Sequence, residues 1–140
     1  MTNALSWFDI PVSDIERAAK FYGEILGAAL ERYSGPGVQG ALFPVPGGGG
    51  GTLIQGEGFT SSYQGSIVYL SGGDDLNAVL NFTSSFRNPS RLGIDRKLEV
   101  NRVAAAGGKV LLAKTDIGEN GFFAYFEDTE GNRVGLHSRG

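Results

Sequence analysis

The sequence predicts an α+β domain built from two βαβββ modules. "FDIPVSDIERAAKFYGEILGAALE" and "VYLSGGDDLNAVL…NRVAAAGGKVLL" share one order: strand, aspartate, helix, glycine, strand. "ALFPVPGGGGGTLI" and "AYFEDTEGNRVGLH" share a strand–turn–strand pattern of equal length. The chain has 140 residues and is 41% hydrophobic, which suits a single globular domain with a sizeable core. The boundaries that follow are one domain over 1–140, module one at 4–58 and module two at 65–138, with an inserted excursion at 81–100.

The first module opens with "LSWFDI", residues 5–10, as a strand. Leu5, Trp7 and Asp9 fall on one face, and Ser6, Phe8 and Ile10 on the other. "SDIERAAKFYGEILG" then carries helix signals. Ser13 and Glu16 form a capping-box pair, and Ile15, Ala18, Ala19, Tyr22, Ile25 and Leu26 recur at helical spacing. Gly27 is placed to cap the C-terminus. "AALERYS", "VQGALFPV" and "TLIQGEG" are the next three strands. The run Gly47–Gly51 between the last two has no GK[ST] ending and no following helix, so it is a hairpin turn rather than a phosphate cradle.

The second module repeats the plan. "GSIVYLSG" is a strand, "DDLNAVL" opens a helix and "AAAGG" closes it. "KVLLAKT", "FFAYFED" and "NRVGLHS" are the final strands. In "FEDTEGN", Asp128 and Gly131 supply a turn, and its acidic residues are read as solvated. Residues 81–100, "NFTSSFRNPSRLGIDRKLEV", break the repeat. Without them Leu76, Val79, Leu80 and Val103 fall on one helix face. Kept as helix, twenty residues at about 100° each would rotate the second half by roughly 200°. Pro89 and Gly93 also oppose a continuous helix, so the segment is read as an excursion.

Composition removes several function classes. A net charge of −3 and a pI near 5.1, without a basic stripe, argue against a nucleic-acid partner. With no cysteine there is no disulfide, thiolate nucleophile or sulfur-ligated metal, which fits a cytoplasmic protein. "MTNALSWFDIPVSD" lacks a charged segment followed by an apolar run, so no signal peptide is expected. No apolar stretch reaches membrane-spanning length, and no membrane partner is expected.

"IPVSDIERAAKFYGEILG" resembles the first-module signature of the vicinal oxygen chelate superfamily, and "GFFAYFEDTEGNRVGLHS" its closing one. That superfamily includes glyoxalase I, type I extradiol dioxygenases, and bleomycin and fosfomycin resistance proteins. The resemblance covers most of residues 4–138 apart from 81–100. It implies that the two modules form a curved mixed sheet around a cavity. In the family's enzymes, His, Glu or Gln side chains hold a divalent metal there. The matching positions here are Trp7, a residue near Ile67, a residue within one of Gln55, and Gly135. Trp, Ile and Gly cannot bind a metal, and one Gln cannot hold a cation against water. No metal and no cofactor are therefore expected. Asp9, Glu57, Glu127 and His137 are other candidate donors, but nothing in their spacing brings them together.

The resemblance places Trp7 toward the cavity, where Tyr69, Phe123 and Tyr125 would complete an aromatic-lined pocket. His137 is the only histidine. It is read as a polar residue near a strand end, and a general-base role would need an orienting partner. The expected ligand-binding set is Trp7, Asp9, Gln55, Tyr69, Phe123, Tyr125, Glu127 and His137. The expected function is a metal-independent small-molecule-binding protein for an apolar or aromatic ligand, of the kind that bleomycin resistance proteins represent. Whether it is an enzyme is open: a lyase, isomerase or dioxygenase-like catalyst with a rearranged site is one alternative, and an interaction module using 81–100 is another. Members of the superfamily often dimerise, which makes a homodimer a candidate assembly.

Deletion of 81–100, joining Leu80 to Asn101, should leave a folded protein. Its thermal midpoint should be equal or higher, because loop-closure entropy is removed. An insoluble or unfolded deletion variant, by circular dichroism, would overturn the reading of this segment as an excursion.

Overall fold

The structure is a computed structural model that describes residues 4–44, 50–72 and 102–139. The excursion 81–100, the helix segment "DDLNAVL" and the glycines 47–49 lie outside those residues. Module one comprises β1 (Phe8–Pro11), α1 (Ile15–Leu26), β2 (Glu31–Gly35), β3 (Val38–Leu42) and β4 (Gly51–Gly56). Module two comprises β5 (Tyr69–Ser71), α2 (Arg102–Ala105), β6 (Lys109–Asp116), β7 (Phe122–Glu127) and β8 (Arg133–Ser138). Each module makes a four-stranded sheet, ordered β1-β4-β3-β2 and β5-β8-β7-β6. The β1–β4 and β5–β8 pairs are parallel, and the other pairs are antiparallel. The expected repeat is thus realised strand for strand, although β1 starts at Phe8 rather than Leu5.

The start of α1 differs from the capping box read in the sequence. Asp14 is the N-cap, and its side chain accepts from the Arg17 amide at 3.1 Å. Glu16 instead pairs with Arg32 of β2 at 2.7 Å. Ser13 is engaged by Glu130, as described below. The Gln55 side-chain oxygen accepts from the Ile15 amide at 2.7 Å, satisfying another free N–H of the first turn. At the other end Gly27 has φ 73°, and its N–H bonds to the Gly23 carbonyl.

α1 packs on both sheets. Ile15, Ala18, Phe21, Tyr22 and Ile25 are buried in one cluster with Ala41 and Leu53 of the first sheet and Ala124, Phe126, Val134 and Leu136 of the second. The Tyr22 ring lies 5.5 Å from Phe43 and 6.1 Å from Phe126, so one residue touches both modules. Its hydroxyl donates to Asp128 at 2.7 Å. Left unpaired, that buried hydroxyl would cost about 1–3 kcal/mol.

The turn between β7 and β8 fastens the second module to α1. The Glu130 carboxylate accepts from the Ser13 amide (3.0 Å), the Ser13 hydroxyl (2.9 Å), the Asp14 amide (2.9 Å) and the Thr129 hydroxyl (2.7 Å). The Arg17 guanidinium completes the set through Nε at 2.7 Å and Nη2 at 2.9 Å. Asn132 donates to the Pro11 carbonyl at 2.7 Å and to Asp128 at 2.9 Å. Asp128 forms the expected turn by accepting from the Glu130 and Asn132 amides. The acidic residues were expected to be solvated, whereas Asp128 is 3% and Glu130 8% exposed. They are buried because α1 of the other module presents a guanidinium, a hydroxyl and free amides to them.

Burial raises the pKa of Glu130, but the hydrogen bonds from Arg17, Thr129, Ser13 and Asp14 outweigh it and hold the group down to about 2. A depressed folded-state pKa adds stability above the unfolded value, 4.5, and that stability is lost as pH falls toward 2. Burial also pushes Asp128 up, against its hydrogen bonds, so its titration acts in the opposite sense. Glu130→Gln should therefore lower stability by about 2 kcal/mol at pH 7, with the difference from wild type shrinking between pH 4.5 and 2. Urea unfolding across that range measures this, and a pH-independent difference would count against the clasp.

Candidate functional site

Strand alternation assigns the two faces of the second sheet. Leu70, Ala124, Phe126, Val134 and Leu136 point into the core. Tyr69, Phe123, Tyr125, Glu127, Arg133, Gly135 and His137 therefore lie on the face turned away from α1. Register puts Tyr69, Gly135 and Tyr125 in one row across β5, β8 and β7, and Ser71, His137 and Phe123 in the next.

Gly135 is the centre of this surface. A Cβ there would lie 2.4 Å from Cδ2 of Tyr69, so the absence of a side chain lets the Tyr69 ring lie across the strand. The Tyr69 ring stands 5.9 Å from that of Tyr125 and 6.4 Å from that of Phe123, which is 5.2 Å from Tyr125. The Tyr69 and Tyr125 hydroxyls are 2.8 Å apart, and that hydrogen bond, with partial burial, raises the pKa of Tyr69. Tyr69 nevertheless stays 46% exposed. These rings line a pocket of about 660 Å³, completed by Leu70, Ser71, Ile117, Asn120 and His137.

His137 Nε2 is 2.5 Å from the Asn120 carbonyl oxygen. A carbonyl only accepts, so Nε2 carries the proton and donates. The turn Gly118–Asn120 that follows β6 supplies this carbonyl, so the orienting partner lies 17 residues upstream in the chain.

Four of the eight expected ligand-binding residues thus come together: Tyr69, Phe123, Tyr125 and His137. The other four are placed elsewhere. Trp7 precedes β1, is 45% exposed, and is not on the pocket wall. Asp9 accepts from the Thr52 hydroxyl at 2.5 Å. Gln55 points to α1, so β4 carries Thr52, Ile54 and Gly56 on its other face. Glu127 accepts from the Tyr63 hydroxyl, and that hydrogen bond raises the pKa of Tyr63. Leu70, Ser71, Ile117 and Asn120 were not anticipated, Leu70 being a core residue between Tyr69 and Ser71. Ser71 was readable as the residue two after Tyr69 on one strand face. Ile117 and Asn120 come from a loop whose path no periodicity encodes.

The metal positions implied by the resemblance do not fit a metal. The Gln55 oxygen is taken by the Ile15 amide, Gly135 has no donor, and the space beside it holds the Tyr69 ring. Among the described residues no three His, Asp or Glu side chains converge.

Residues 5–32 match the family described as Bleomycin resistance protein-like N-terminal. The whole chain is similar to a glyoxalase/bleomycin resistance protein/dioxygenase family enzyme from Burkholderia phytofirmans PsJN. Identity is 16% over 98% of this chain and 99% of that one, with a TM-score of 0.58. The chain has the glyoxalase/bleomycin resistance fold. TnmS3, an antibiotic binding protein from Streptomyces sp. CB03234, is 21% identical over 99% and 97% of the two chains, with a TM-score of 0.55. A V278E mutant of glyoxalase I from Zea mays is 22% identical over 95% of this chain but 45% of its own, with a TM-score of 0.60. At these identities the likeness concerns the fold. No protein of curated function matches the sequence.

Gly135→Ala should leave stability within about 0.5 kcal/mol, since the exposed Tyr69 ring can swing away. The pocket should nonetheless change, because Tyr69 can no longer lie beside Tyr125. Loss of Tyr69–Tyr125 ring contacts in nuclear Overhauser spectra, with an unchanged thermal midpoint, is the expected result. Retained contacts would show that Gly135 does not set the wall.

Proposed function

We propose that this protein is a metal-independent small-molecule-binding protein whose ligand is a flat aromatic or apolar molecule. The observation that carries this reading is the three-ring wall of Tyr69, Phe123 and Tyr125 around Gly135, at a position where the resemblance implied a metal ligand. The rings offer apolar faces while paired hydroxyls and His137 stand at the margin. Such a surface stacks on a planar ligand and orients it through a few polar groups. The pocket's 660 Å³ suits a molecule of several fused rings. The likeness to TnmS3, whose description is antibiotic binding, supports the same class of role. Among the described residues no helix is long and apolar enough to cross a membrane.

A second reading, an enzyme with a rearranged site, is favoured by one feature. His137 lines the pocket with Nε2 fixed on the Asn120 carbonyl, which leaves Nδ1 as its acceptor nitrogen. An imidazole oriented in this way can act as a base toward a bound substrate. Turnover of a bound ligand that His137→Gln abolishes without loss of binding would favour the enzyme.

Titration calorimetry with neutral bicyclic and tricyclic aromatic compounds tests the binding reading. Saturable binding is expected, and Tyr125→Ala should weaken it on the order of tenfold, about one aromatic contact. Trp7→Phe should change it less than about twofold, well below 1.4 kcal/mol, because Trp7 stands off the wall. No saturable response across the panel would overturn the reading.

A further inference from the structure

Arg133 is the group on this face that the aromatic reading leaves unused. Its guanidinium lies 5.7 Å from the ring centroid of Tyr125 and 5.7 Å from that of Tyr63. Two tyrosine faces therefore hold the cation in place. Its hydrogen bond among the described residues runs from Nη2 to the Tyr63 carbonyl at 3.1 Å. Nε is buried and meets no acceptor there. No carboxylate of the described residues lies in ion-pair range of it. Glu127 is its register neighbour across β7 and β8, but that carboxylate is turned to the Tyr63 hydroxyl. Asp9 shares a small polar crevice with Arg133, and its carboxylate accepts from Thr52.

An arginine is costly to leave without an acceptor in a partly desolvated setting, because its N–H groups have given up water. The other arginines of this fold for which the structure gives a side-chain carboxylate, Arg17 and Arg32, are paired at 2.7 Å. Arg133 instead lies beside Tyr125, a ring of the pocket wall, in the crevice next to the pocket rather than on the wall itself. We propose that Arg133 is a specificity-determining contact: the ligand is an aromatic acid, whose oxyanion meets this guanidinium while its rings stack on Tyr125, Tyr69 and Phe123. The guanidinium fork suits carboxylate or sulfonate geometry, and pinning by two rings lowers the entropy lost when the ligand pairs with it. Tyr63 is then a positioning residue. It holds Arg133 by its ring and its carbonyl, and its hydroxyl keeps the nearby Glu127 carboxylate occupied.

This inference rests on the binding reading above, and a matched ligand pair separates the two. Naphthalene-2-carboxylate and naphthalene-2-carboxamide have the same rings and nearly the same shape but differ by one charge. Titration calorimetry at pH 7 should give the carboxylate at least tenfold the affinity of the amide. Arg133→Gln should bring the two within twofold of each other, mainly through a loss of affinity for the carboxylate. Arg133→Lys should retain part of the preference, since it keeps the charge but loses the planar fork. Equal affinities in the wild-type protein would overturn the role of Arg133 and leave the aromatic pocket standing. A uniform loss for both ligands in Arg133→Gln would also overturn it, by showing that Arg133 only supports the wall. Binding of neither ligand would remove the inference together with the reading beneath it. Circular dichroism of each variant confirms that losses are not unfolding.

Discussion

The Glu130 carboxylate is the contact on which the rest of this structure depends. Two modules that each build an open four-stranded sheet need a fixed relation to one another. The apolar cluster around α1 supplies adhesion but little direction, because hydrophobic contact is not directional. Glu130 supplies direction. Its two oxygens receive donors from Ser13, Asp14, Arg17 and Thr129, so the β7–β8 turn docks on the first turn of α1 in one orientation. A buried carboxylate with so many donors is kept charged, and a charged group without them would be expelled. Asn132 and Tyr22 add a second and third tie across the same boundary.

The same strand that leaves this turn builds the pocket. Along β8, Val134, Leu136 and Ser138 are buried, while Arg133, Gly135 and His137 face the opposite way. A one-residue slip would exchange the two sets, placing a guanidinium and an imidazole in the core. Because Asp128 and Glu130 fix the turn, they also fix which residues of β8 reach the pocket. The clasp and the site lie on opposite faces of one hairpin, so the core contacts that hold β8 also aim its outward residues.

Much of the fold was legible because period and punctuation agree in this chain. The 3.6-residue pattern from Ile15 to Leu26 ends at a glycine that does adopt positive φ. "FFAYFED", read as a strand, is β7, and its residues alternate, with Ala124 and Phe126 buried and Phe123 and Tyr125 on the pocket wall. The failures have a common cause: a local motif lost to a partner distant in sequence. Ser13 and Glu16 have capping-box spacing, but Glu130 lies 117 residues from Ser13 and offers a better acceptor, while Arg32 takes Glu16. The acidic turn looked solvated because nothing in "FEDTEGN" shows that α1 sits on it. The Gln55 position was read only to within one residue, and the Gln55 side-chain oxygen accepts from the first turn of the helix.

At the site, strand parity decides which side chains share a wall. Tyr69, Phe123 and Tyr125 were expected to complete a pocket beside Trp7, and His137 was read as a polar residue near a strand end; the structure gathers these four on one pocket wall. Trp7 was placed by matching a single position, and it lies off that wall. The decisive feature, the flat lie of Tyr69, depends on a residue with no side chain. Gly135 reads in the sequence as the loss of a metal donor. In the structure it is also the gain of a ring, since a Cβ there would meet Tyr69 at 2.4 Å. The two facts are one, because the volume a ligating side chain needs is the volume the tyrosine fills. Arg133 and His137 flank that glycine on the same strand face, His137 on the pocket wall and Arg133 in the neighbouring crevice.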